Sequence, residues 1–198
     1  MRPLQRFLAA AAVFLGVGSS AAWAQHPHTR QGFWIGFGFG AGSARGDCEG
    51  CDFDAESGAT GYLKLGGTLS PRLLLGADVT SWVGKAKDTR LGTADVTVSF
   101  VTAAVYWYPS PASGLFLKGG LGSFVLTGDA NTGEGLESAS AALVLGIGYD
   151  IRVGRMLSLS PVLTFGASGK GGFDIDGITV ADDFTGGLAT LQVGVTFH

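Results

Sequence analysis

The chain has 198 residues, 46% of them hydrophobic, with 34 glycines and 16 acidic against 13 basic side chains. That length suits one domain, and the slight acidic excess leaves no electrostatic footprint for nucleic acid. Past the first two dozen residues no apolar run nears the roughly 20 residues of a membrane-spanning helix, so this much hydrophobicity must be placed some other way.

Residues 1–24 carry the marks of a secretory signal peptide. Arg2 and Arg6 supply a positive start, "FLAAAAVFLGV" is an apolar run too short to span a bilayer comfortably, and Ala22-Trp23-Ala24 is an A-x-A cleavage site. The mature chain is expected to begin near Gln25, with 11 basic against 16 acidic residues. Residues 25–31 form a short tail, in which His26 and His28 read as incidental rather than as a metal site.

From residue 32 the hydrophobic period is two, the signature of strands whose faces meet different surroundings. "GFWIGFGFGAG" (32–42) sets Phe33, Ile35, Phe37 and Phe39 against Gly36, Gly38, Gly40 and Gly42. Over 57–69, Leu63, Leu65 and Leu69 oppose Thr60, Tyr62 and Lys64; over 73–84, Leu73, Leu75, Val79 and Val83, with Ser81 out of place, oppose Asp78, Thr80 and Trp82. Over 95–108 the even positions Val96, Val98, Phe100, Ala104, Tyr106 and Tyr108 read as the apolar face, interrupted by Thr102, with Ser99 and Trp107 on the other side. Residues 115–127 alternate less cleanly, Leu117 and Leu121 opposing Phe116, Lys118 and Phe124. Over 138–152, Leu143, Leu145 and Ile147 oppose Gly146, Gly148 and Asp150; over 156–167, Leu159 and Leu163 oppose Ser158, Ser160 and Thr164. The last stretch sets Leu191, Val193 and Phe197 against Thr190, Gln192 and Thr196.

These make eight strands. Short links at 70–72, 109–114 and 153–155 alternate with longer ones at about 45–56, 85–92, 128–137 and 169–184. An antiparallel membrane barrel has this rhythm, with tight turns on one side and long loops on the other. The long links hold 13 of the 16 acidic residues and only five basic ones: Arg45, Lys85, Lys87, Arg90 and Lys170. Phe33, Tyr106, Tyr108, Tyr149 and Phe197 are expected to form an interfacial girdle near the short turns. The glycines of the first strand would leave room in a narrow lumen for Trp34, Tyr62 and Trp107.

With "GIGYDIRVGRMLSLSPVLTFG" and a final strand closing on Phe197, the chain resembles the small outer-membrane barrels of OmpA/OmpX type over residues 32–198. His198 follows Phe197, so the aromatic is penultimate, a departure from the family's terminal signal. The resemblance implies an all-β, eight-stranded antiparallel up-and-down transmembrane β-barrel at 32–198, behind a periplasmic tail at 25–31. It also implies the outer membrane as location, its lipids and lipopolysaccharide as surroundings, and the barrel assembly machinery as a partner in biogenesis. A structural or surface-interaction role would follow. A water-filled pore is not expected, because such channels belong to barrels of about 16–18 strands.

Cys48 and Cys51, in "CEGC" of the first long link, are a candidate disulfide in an exported protein. A redox centre would want a helix start and zinc would want two further soft ligands. Asp47, Glu49, Asp52, Asp54 and Glu56 crowd the same link, where a divalent cation or an extracellular ligand could bind; their spacing is not that of an EF-hand, and solvated loop charge is the simpler reading. Lys64, Asp78, Lys118 and Asp150 fall on lumen-facing positions and are expected to form an internal polar network, with Arg152 near a turn.

No catalytic residue, cofactor or metal ligand is expected. The three histidines, His26, His28 and His198, fall at the turn end, far from the rim where an outer-membrane lipid-modifying enzyme would use one. Such an enzyme, and a soluble periplasmic barrel that binds a ligand inside, remain the alternatives. The second would reverse the faces and put those four charges outside.

Overall fold

The computed structural model describes residues 30–48, 51–88, 92–130 and 135–198. The expected signal peptide and the tail up to residue 29 lie outside the described residues. The alternating pattern folds as strands throughout: β1 (Phe33–Cys48), β2 (Cys51–Ser70), β3 (Leu73–Asp88), β4 (Gly92–Trp107), β5 (Leu115–Ala130), β6 (Gly135–Tyr149), β7 (Ile151–Arg152), β8 (Leu157–Ser168), β9 (Gly171–Ile175) and β10 (Ile178–Phe197). All pair antiparallel in one sheet, which closes on itself where β10 meets β1 from Ile35↔Phe197 to Asp47↔Thr185. The two-residue β7 prolongs β6 past Asp150, and β9 prolongs β8, because β6 pairs with β8 toward the turns and with β9 farther up. The ring therefore has eight staves. Closure gives every stave a neighbour on both sides, the condition for a sheet to stand in hydrocarbon.

Side chains divide by the pleat. Phe33, Phe37, Phe39, Leu63, Leu121, Leu145, Phe165 and Leu191 stand exposed on the outer wall, Phe39 at 79% and Leu121 at 68%. So much bulk outside would be costly in water and is favourable against lipid chains. Ser81, the serine out of step in its strand, lies opposite Ser99 on β4, and their hydroxyls meet at 2.9 Å. Each satisfies the other where water is absent.

β4 corrects the expected faces. Val96, Val98, Phe100, Ala104, Tyr106 and Tyr108 are buried in the lumen with Thr102, while Val101, Val105 and Trp107 face outward. Tyr106 and Tyr108 are therefore no part of a girdle; Trp107 takes that place beside Phe33 and Phe197. The strand is apolar on both sides, so its period showed a strand without showing which face was which, and the interruption at Thr102 was the one cue to the lumen.

The long links are a second correction. Most of the described part of 45–56, 85–92, 128–137 and 169–184 continues as strand. Charge ends the hydrophobic pattern but not the backbone ladder, which needs only a neighbour. β9 and β10 join through Asp176-Gly177, both at positive φ (50° and 76°), as a two-residue hairpin turn demands. Asp176 then docks the hairpin on β6: its N–H donates to Gly135 O at 2.9 Å and its Oδ1 accepts from Gly135 N at 2.8 Å.

Lumen glycines are sockets for rings. A Cβ on Gly38 would meet Tyr62 at 2.5 Å, and one on Gly148 would meet Phe116 at 2.3 Å. Trp34 and Tyr62 do fill the lumen, whereas Trp107 stands on the outer wall.

Candidate functional site

One group of ionisable side chains in the lumen is held by four neighbouring staves, β2 to β5. Asp78 on β3 lies in register with Lys64 on β2 and Thr102 on β4. Strand tilt brings more distant partners level with it. Lys118 Nζ, from β5, lies 3.0 Å from Asp78 Oδ2, with both side chains almost completely buried. Tyr106 donates its hydroxyl to the same oxygen, and Thr80 Oγ1 donates to Oδ1 at 3.0 Å. Lys64 forms no ion pair within 4 Å among the described residues. Its ammonium instead lies 5.0 Å from the Phe116 ring and 5.2 Å from the Tyr106 ring, within range of cation–π attraction. The space among Tyr62, Lys64, Asp78, Tyr106, Phe116 and Lys118 is too small for a water molecule.

Asp150 belongs to a separate group nearer the turns. Ser160 Oγ donates to its Oδ1 at 2.7 Å, Tyr108 donates to its Oδ2 at 2.8 Å, and His198 Nε2 stands 3.6 Å from Oδ2. Ser160 also meets Thr196 Oγ1 at 2.9 Å. Below them lies Arg30, a tail residue expected to stand free in the periplasm. It is 1% exposed, its guanidinium stacks 3.5 Å from the Tyr108 ring centre, and it donates to Ser113 O at 2.8 Å and Pro111 O at 3.4 Å. Burial lowers its pKa from the usual arginine value, and the neighbouring Tyr108 and Asp150 act against that.

Toward the hairpins the lining changes. Trp82, Val96, Val98, Phe100, Phe124, Val144, Phe173, Phe184 and Leu188 form one apolar cluster. Phe100 and Phe124 meet edge to face at 5.3 Å, and Phe173 stacks on Phe184 at 5.2 Å. Trp82 Nε1 donates to Gly42 O at 3.3 Å, which satisfies its polar edge.

A sealed, eight-stave wall with an apolar outside matches solved structures. Neisserial surface protein A (NspA) is similar at a TM-score of 0.57 and 15% identity, over 83% of this chain and 96% of that one. Ail, the attachment invasion locus protein of Yersinia pestis, is similar at 0.56 and 15%, over 85% and 100%. The outer membrane protein OprG of Pseudomonas aeruginosa is similar at 0.50 and 16%, over 86% and 98%. The chain folds as a small outer-membrane β-barrel. No protein-family model matches its sequence, and no curated protein is significantly similar to it.

In this barrel the four charges foreseen from sequence are all buried in the lumen. The structure joins Asp78 to Lys118, sets Lys64 over rings, and leaves Asp150 in its own cluster. Sequence reading missed Arg30, Tyr106, Tyr108 and His198 as their partners; for the tyrosines the cue was their place in the same alternate row as Thr102. Arg152 lies at the turn, donating to Gly154 O at 3.1 Å and to Arg155 O. The order at the base of the barrel is serine, carboxylate, histidine. The imidazole is not placed to take the Ser160 proton, as a nucleophile–base pair requires. Among the described residues no three His, Cys, Asp or Glu side chains converge as metal ligands. Cys48 and Cys51 pair opposite each other in the β1–β2 register, and their side chains lie outside the described residues. So do those of Glu49, Asp52, Asp54 and Glu56; Asp47 is exposed.

Proposed function

We propose that this barrel serves the outer membrane as a structural and surface-interaction protein, with residues 1–24 directing export, 25–31 forming a tail and 32–198 the barrel domain. The observation that carries this reading is the filled lumen: a hydrogen-bonded polar layer toward the turns, with no room for water at its centre, and an aromatic layer above it. A filled barrel has nothing to conduct, so its work falls to its outer wall and to the hairpins beyond it. Outer-membrane lipids and lipopolysaccharide would surround the wall, and the barrel assembly machinery would receive the last strand. Planar-bilayer recording of the purified protein should show no large, steady conductance; finding one would overturn the reading.

The hairpins favour a particular kind of partner. Ail has been solved in complex with the heparin analogue sucrose octasulfate, a polyanion. In this chain the hairpin segments carry 13 acidic and five basic residues, so a cationic surface or a divalent cation suits them better than a sulfated sugar. Cys48 and Cys51, opposite each other in the β1–β2 register, would close that hairpin as a disulfide. Maleimide labelling of intact cells should then require prior reduction. Labelling without reductant would refute the disulfide, and none after reduction would refute the surface position.

A further inference from the structure

Near the hairpin end the outer wall thins where small side chains meet on neighbouring staves. Two register rows cross four staves there: Ser43, Ala189, Phe165 and Leu145 form one, and Arg45, Gly187, Ala167 and Leu143 the next. In the middle the side chains are small, so the wall sinks into a groove of about 470 Å³ with a floor of Ala167, Gly187 and Ala189 and sides of Leu143, Leu145 and Phe165. That volume lies within the ~300–1,000 Å³ typical of small-molecule sites. Arg45 lies across its upper end: a Cβ on Gly187 would meet Arg45 Nε at 2.9 Å, so glycine at 187 is what lets the arginine lie flat on the wall.

Arg45 forms no ion pair among the described residues, unlike Lys85, which sits 3.8 Å from Asp95 on the other side of the barrel. Asp47 is exposed one step farther from the membrane on the same face, and Lys170 is exposed in the β8–β9 link beyond Ala167. The arginine therefore stands where the apolar band gives way to the polar rim, with an apolar trough directly on its membrane side. An arginine over an apolar trough matches a lipid with a phosphate headgroup, since guanidinium makes strong, charge-assisted hydrogen bonds to phosphate.

We propose that this groove seats an acyl chain of a phosphorylated, multiply acylated lipid of the outer leaflet, with a lipid phosphate on Arg45. The site rests on the outer-membrane reading, since a barrel elsewhere would not meet such a lipid. It would fix one lipid in a set orientation beside β1 and β10, the seam that closes the ring.

The test uses the full-length protein in dodecylmaltoside micelles doped with bisphosphorylated lipid A, its dephosphorylated form or phosphatidylglycerol, read by native mass spectrometry. Heat-dependent gel mobility is checked first; its absence would break the barrel reading and not this one alone. The folded protein should retain bisphosphorylated lipid A about tenfold over the dephosphorylated form. Arg45→Ala should abolish that preference and Arg45→Lys should keep part of it. Ala189→Phe, which fills the groove from outside without touching the lumen, should lower retention of both forms of lipid A. Equal retention of the two forms, a preference unchanged in Arg45→Ala, phosphatidylglycerol held as tightly as lipid A, or full competition by inorganic phosphate would each overturn the proposal. So would a dimer that occupies this face and is lost in Ala189→Phe.

Discussion

The half of the lumen near the short turns and the half beneath the hairpins are lined by the same strands, yet they are held together differently. Near the turns, Asp78, Lys118, Tyr106, Asp150, Tyr108, Ser160 and Arg30 form directional contacts with few alternatives. Beneath the hairpins, Phe100, Phe124, Phe173 and Phe184 pack by shape and area alone. A buried polar cluster is intolerant of a missing member, because the abandoned charge keeps its desolvation cost; an aromatic cluster loses only the contacts removed. The lower half thus fixes which groups meet, and the upper half closes the lumen with interchangeable bulk.

Asp78→Ala should separate the two halves most sharply. It strands Lys118 and deprives Tyr106 of its acceptor, and removing one member of a buried pair costs about 3–5 kcal/mol. Urea unfolding in lipid vesicles, followed by tryptophan fluorescence, measures the loss, and added salt should change it little because the pair is shielded from solvent. Pairing Asp78→Asn with Lys118→Met should recover much of it; no recovery would mean that the charges are not coupled. In the upper half, Phe124→Ala should cost about 3 kcal/mol by leaving a cavity, while Phe124→Leu costs less. If Phe124→Leu proved as damaging as Asp78→Ala, the upper half would not be interchangeable bulk. Gly148→Ala is smaller, about 1–3 kcal/mol of overpacking against Phe116, and Phe116→Leu in the same chain should relieve it. At the rim, Lys85→Ala removes an exposed pair with Asp95 and should leave the unfolding curve unchanged.

The candidate site was legible in part. Lys64, Asp78, Lys118 and Asp150 stood out because an ionisable residue on the face opposite a run of leucines has nowhere to go but a lumen. Their partners did not stand out. Tyr106 and Tyr108 sit on a strand whose two faces are both apolar, one meeting lipid and the other the aromatic layer, so the period of two carried no sign there. Arg30 lies before the first strand, where no periodicity operates.

What the sequence determined by itself was the strand number, the antiparallel order and the outward face of seven staves, because lipid and lumen impose opposite chemistry on alternate residues of one strand. Tertiary structure alone decided three things: which charges meet, how far the strands run beyond the membrane, and where the wall thins beside Arg45. Each depends on the shear and closure of the ring, which bring residues from different staves to one level. No single strand's pattern contains that offset, so Asp78 and Lys118 read as two isolated charges until the sheet closes and sets them 3.0 Å apart.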